Sequence, residues 1–223
     1  MASLKQQIKE LLDSNKLGAI ASLPDHRRVM STLVRFAYDK ESLVGWRAII
    51  AVGILARATV EKDPIYLRET CRKLLWSLTD ESGGIGWSAP EMLGEIVSAD
   101  PSRYSDVIPL IASAYDIEED VFRPGVMYAL GRIAEEHPDR IIPFQGIIER
   151  ALGDKNATVR AFGVVLLIIM GKNDLESGRN MLLSGSFNAE LRKLLTDSGE
   201  VWIYEGNGFV SHVISELASK LVK

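Results

Sequence analysis

The sequence predicts an all-α fold, an α-solenoid in which about five helix pairs stack into a superhelix. Three observations predict it. Apolar residues recur at helical spacing along most of the chain, and no run alternates with period two for long enough to suggest a sheet. Four segments fall into register on Gly45, Gly86, Arg123 and Arg160, reading GWRAIIAVGIL, GWSAPEMLGEI, RPGVMYALGRI and RAFGVVLLIIM, at offsets of 41, 37 and 37 residues. An Asp marks the turns at Asp39, Asp80, Asp116, Asp154 and Asp197. One helix pair cannot bury its apolar face alone, so recurrence at such a period marks a stacked array.

In chain order, Ala2 to Leu12 carries a helical stripe of Leu4, Ile8, Leu11 and Leu12 that ends near Asp13, Ser14 and Asn15. A short helix follows over Leu17 to Leu23. Pro24 then opens Asp25 to Tyr38, where Val29, Leu33, Phe36 and Ala37 keep helical spacing. Each aligned segment supplies the first helix of a pair. Gly53, Gly94 and Gly131 recur eight positions after the register residue, where small side chains let helices approach. The second helices are expected at Pro64 to Leu78, Pro101 to Tyr115 and Pro138 to Leu152, with a weaker one around Leu175 to Leu183. Proline suits a first helical turn, where no N–H is required. Asn188 to Thr196 reads as helix. Gly206, Asn207 and Gly208 form a strong turn signal, and a last helix, a cap on the array, is expected from Phe209 to Leu221. The whole chain, 1–223, is expected to be one domain: N-terminal helices and first repeat over 1–41, central repeats over 42–187, capping helices over 188–223.

Two of the aligned segments, Phe122 to Ala134 (FRPGVMYALGRIA) and Val159 to Met170 (VRAFGVVLLIIM), resemble the first helix of HEAT and HEAT-like (PBS-lyase type) repeats. The pattern is an apolar residue, an Arg, then small and apolar residues, and the resemblance covers most of residues 25 to 184. It implies that Arg123 and Arg160 tie to the turn aspartates. Gly45 and Gly86 depart from the pattern, which breaks that ladder in the first half. The fold itself implies no activity.

Composition narrows the function classes. With 223 residues and 47% hydrophobic content the chain can bury a substantial core. Its single Cys71 offers neither an internal disulfide nor a cysteine zinc site, and no signal segment is visible, so a cytoplasmic setting is expected. The longest apolar run, Val164 to Met170, is far short of the roughly 20 residues that span a bilayer, so no membrane partner is expected. A net charge of -4 and a pI near 5.5 argue against nucleic acid as a partner. His26, His137 and His212 belong to different repeats and do not pair at ligand spacing, so neither a metal nor a cofactor is expected.

The candidate site is the stretch from Trp76 to Glu95. Between Leu74 and Ser102 there is no Lys or Arg, while Asp80, Glu81, Glu91, Glu95 and Asp100 give -5. Trp46 and Trp87 share one position of the repeat, Trp202 lies close to it, and stacked repeats would align them along one edge. Such an acidic, aromatic edge would hold a basic protein or peptide through cation–π and charge pairing. The competing reading is that the aromatics plug the seams between repeats. Similarly, Ser88 to Glu91 has the form of a capping box, with Trp87 and Met92 as its hydrophobic staple. One enzymatic resemblance stands beside these: Trp76 with Asp80 four residues later is similar to the helical HEAT-like alkylpurine DNA glycosylases. It implies that Asp80 would stabilise the developing sugar cation while Trp76 and Trp202 pack on the backbone. Against it, such an enzyme needs a basic groove, and this stretch has no cation of its own.

Overall fold

The computed structural model describes residues 2–79, 87–117, 120–173 and 185–222. By contact density the chain forms two units, Met1–Ala114 and Tyr115–Lys223.

In the first unit, α1 (Leu4–Asp13) starts at Ser3, whose Oγ accepts the Gln6 N–H at 3.2 Å, and it buries Ile8 and Leu12. A 3-10 turn over Leu17–Ser22 leads to α2 (His26–Phe36), capped by Asp25 in the left-handed region at φ 57°. Next, α3 (Leu43–Thr59) is capped by Ser42, whose Oγ accepts the Gly45 N–H at 3.0 Å. It is buried on nearly every side, which explains a sequence apolar all round. Pro64 opens α4 (Pro64–Ser77) behind its Asp63 cap. All nine residues of α5 (Ala89–Val97) are buried, and α6 (Ile108–Ser113) closes the unit. The core lies where α3 packs on α1, α2 and α5, with α5 also against α4 and α6.

The second unit repeats the plan. Its central pair is α7 (Arg123–Ala134) packed on α9 (Ala157–Asn173), and α8 (Gln145–Leu152) lies against α9. Then come α10 (Gly185–Leu194), a hairpin of β1 (Glu200–Glu205) and β2 (Gly208–Val213), and α11 (Ile214–Ser219).

The implied Arg–Asp ladder is present in this unit. The Arg123 Nη1 lies 3.2 Å from Asp154 Oδ2, which also accepts the Tyr115 hydroxyl at 2.8 Å. Arg160 donates to the Asp154 carbonyl at 2.8 Å and to Asp197 Oδ2 at 2.7 Å, so each turn is tied to the next. Burial alone would raise Asp197, but the Arg160 hydrogen bond, the Gly199 N–H and the Arg160 charge together hold it below the usual carboxylate range. In the first unit Gly45 stands where the ladder would have an Arg, and the reason is steric. A Cβ there would lie 1.8 Å from the Asp39 carbonyl oxygen, because the turn's own backbone fills the space.

Several expectations are corrected. The segment Pro101 to Tyr115 is helical only from Ile108, and Pro138 to Leu152 only from Gln145 after two short 3-10 turns. Pro109 and Pro143 lie inside the expected helices, and each permits a first turn but no continuation from before it. The last helix does not begin at Phe209. Glu200 to Val213 is an antiparallel hairpin, with Glu205 opposite Gly208 and positive φ at Gly206 alone of the two loop residues, a conformation that favours glycine. Val201 and Ile203 point into the core while Trp202 points out, so this short run does alternate. The segment around Leu175 to Leu183 lies outside the described residues.

The glycine row serves more than one end. At Gly53 a Cβ would lie 2.1 Å from Glu95 Oε2, so this glycine makes room for a buried carboxylate. At Gly131 a Cβ would meet only Ile169 Cδ1 at 3.7 Å, ordinary contact that does not require glycine. Cys71 is 1% exposed, and burial pushes its thiol up to about 12, which makes it inert.

Candidate functional site

The residues nominated by the sequence divide sharply by burial. Trp76 and Trp87, at 67% and 54% exposure, stand open on the first unit, and Trp202, at 63%, on the hairpin of the second. Trp46 (7%), Glu91 (2%) and Glu95 (0%) are internal and do not belong to a docking surface. Asp80 and Glu81 lie outside the described residues, as does the glycine-rich segment 82–86.

The burial of Glu91 and Glu95 has a local cause. Helix α5 is short and enclosed on all faces, so no position on it is free to face water. The capping box does not form: Ser88 makes no side-chain cap, and its Oγ donates instead to the Ala37 carbonyl at 2.6 Å. Glu91 Oε1 lies 3.3 Å from Lys40 Nζ, which also donates to the Trp87 carbonyl at 3.0 Å. Thus the turn between α2 and α3 is stapled to the start of α5, and the cation missing from the acidic stretch comes from Lys40. Burial raises the Glu91 carboxyl above its ordinary value, against the pull of Lys40. Its Oε2 is buried without a hydrogen-bond partner among the described residues.

Trp76 has a concave surface beside it. A groove of about 450 Å³ runs between α2 and α4. Met30, Val34 and Leu74 form its apolar part, Tyr38, Tyr66 and Trp76 its aromatic part, and Arg35 and Lys73 bring positive charge to it. Tyr66 is fixed by its hydroxyl, which donates to the Arg27 carbonyl at 2.9 Å, and by the Arg27 guanidinium 5.1 Å from its ring centre. Arg27 is held in turn by Asp63 at 2.7 Å. Burial raises the Tyr38 phenol above its usual range, against the charge of Arg35. The size and lining suit a few bulky apolar groups flanked by charge.

This groove was not nominated by the sequence beyond Trp76. Its signal is a second stripe on each helix: Met30 and Val34 on α2, one position beyond Val29 and Leu33 and continued by Tyr38 in the turn that follows, and Tyr66, Thr70, Lys73 and Ser77 on α4.

The described residues contain no group of three or more His, Cys, Asp or Glu placed to hold a metal ion. Both ring nitrogens of His26 are engaged, Nδ1 with Thr59 Oγ1 at 2.8 Å and Nε2 with the Ala21 carbonyl at 3.1 Å. No described helix is long and apolar enough to cross a membrane.

No protein-family model matches the sequence, and no curated protein is similar to it. Solved structures are similar in fold. A designed armadillo repeat protein, YIII(Dq.V1)4CPAF in complex with the peptide (KR)4, superposes with a TM-score of 0.61 at 17% identity, covering 99% of this chain and 98% of that one. A computationally designed armadillo repeat protein for modular peptide recognition gives 0.53 at 17% identity over 99% and 98% of the two chains. An archaeal HEAT-like repeat protein from Thermococcus onnurineus NA1 gives 0.46 at 17% identity, over 100% of this chain and 80% of that one. The two armadillo superpositions identify the fold as an armadillo-like α-solenoid of stacked helix pairs.

Proposed function

We propose that the protein is a peptide-binding interaction module, and that the groove between α2 and α4 is where its partner docks. The observation that carries this reading is Trp76: a large side chain left two-thirds exposed at the edge of an apolar concavity of about 450 Å³. Exposed aromatic groups beside such a concavity are the usual anchors of protein recognition. The similar designed armadillo protein is complexed with a peptide, which supports the class of partner.

The groove also carries the reading better than an acidic, aromatic edge over residues 76–95 that would hold a basic partner. Of that edge, Trp46, Glu91 and Glu95 are internal, and Trp76 lines the groove together with Arg35 and Lys73. A glycosylase would use the same Trp76 with Asp80. Two cations in a mostly apolar concavity make a poor track for a phosphate backbone, so the peptide is favoured.

The reading predicts that Trp76→Ala weakens binding of a groove-binding peptide by about tenfold or more, while Trp202→Ala leaves it unchanged. Fluorescence anisotropy with a labelled peptide measures both. Equal affinity of Trp76→Ala and the unmodified chain would remove the groove from the account.

A further inference from the structure

The charge of the groove selects its occupant. Arg35 and Lys73 flank the apolar part, and neither forms an ion pair with any described residue. Arg35 also lines an adjoining concavity with Arg28 and Lys5 on the α1 side, and Lys73 lines another with Arg72 on the α4 side. Among the described residues two carboxylates offset these cations: Glu69 pairs with Arg72 at 2.8 Å, and Asp25 stands 3.9 Å from Arg28. Among the described residues the face presented by α2 and α4 is therefore positive, in a chain whose net charge is -4. Cations without an ion pair among the described residues, beside exposed aromatic and apolar side chains, fit a partner with acidic groups on either side of a bulky apolar anchor.

We infer that the groove takes an acidic peptide segment, its apolar side chain entering beside Trp76 and Met30 while its carboxylates meet Arg35 and Lys73. The inference rests on the proposed docking role of the same groove and names the chemistry of the partner. It reverses the charge that the acidic stretch of the sequence suggests, because the described carboxylates of that stretch face inward and the cations of α2 and α4 face outward.

The experiment compares the full chain with an Arg35→Glu, Lys73→Glu variant. Both positions are exposed, so the variant keeps its fold, which circular dichroism and thermal melting verify. The probes are three labelled short peptides with the same Leu and Phe anchors, interspersed with Glu, Gln or Lys, and labelled single-stranded and duplex oligonucleotides. The acidic peptide is expected to bind about tenfold tighter than the Gln peptide, to weaken as salt rises, and to lose that advantage in the variant, where the Lys peptide gains. Equal binding of the acidic and Gln peptides, both still sensitive to Trp76→Ala, would overturn the acidic partner and leave the docking groove standing. Tighter binding of the Lys peptide or of either oligonucleotide to the unmodified chain would also overturn it. Failure of all three peptides to bind would overturn the docking role and the acidic partner together.

Discussion

Lys40→Met is expected to destabilise the first unit by about 3 kcal/mol at neutral pH. Lys40 is 19% exposed and is the partner of a Glu91 side chain that is 2% exposed, so its removal leaves a buried carboxylate with no counter-charge. The loss is greater than that of a surface pair because Glu91 cannot turn to water from an enclosed helix. The variant also loses the hydrogen bond from Lys40 to the Trp87 carbonyl, which fastens the same junction. Glu91→Gln on the Lys40→Met background should recover part of the loss, since a neutral amide costs less to bury than a charge.

The cost should depend on pH in a fixed direction. Glu91 has its folded-state value raised by burial, so its contribution to stability is fully present below the unfolded value and is lost as pH rises through the folded one. Without Lys40 the folded value rises further. Denaturant titrations from about pH 8 to about pH 5 should therefore show the cost of Lys40→Met shrinking as the carboxyl takes up its proton. A cost that stays constant across that range would mean that Glu91 is not what Lys40 compensates.

Gly45→Ala should cost a comparable amount, about 3 kcal/mol, for a different reason. The new Cβ would sit 1.8 Å from the Asp39 carbonyl oxygen and 2.6 Å from its carbon, and both belong to the backbone. A side chain could rotate away, whereas here the turn must separate from α3. Gly146→Ala in α8 is the matched comparison. Its Cβ would meet nothing within 4 Å, so the usual preference of helices for alanine predicts a gain of about 0.5–1 kcal/mol. Urea denaturation of both variants tests the contrast in sign.

These two positions show what the sequence could and could not disclose. The Arg–Asp ladder was legible through the resemblance to the pattern of HEAT-like repeats, which implies that Arg123 and Arg160 tie to the turn aspartates. Gly45 was legible only as a departure from that pattern. The interior of α5 was hidden because its partners are remote: Lys40 reaches Glu91, and Ala37 takes the Ser88 hydroxyl, across 51 residues in each case. Ser88 and Glu91 have capping-box spacing, but long-range contacts claim both side chains. The hairpin was missed although its signals were present, because Val201 to Tyr204 is too short a run to stand out beside many helices. The groove needed the second stripes of α2 and α4 to be brought together, and neither stripe alone distinguishes a groove from an ordinary helix surface.

The central claim is that the partner docks between α2 and α4. Amide hydrogen exchange on the full chain, with and without whichever of the Glu, Gln and Lys peptides binds most tightly, tests it most directly. The account predicts slowed exchange in His26–Phe36 and Pro64–Ser77 when peptide is present. Slowing confined to Ala89–Val97 or to the hairpin strands Glu200–Glu205 and Gly208–Val213, with α2 and α4 unchanged, would contradict it.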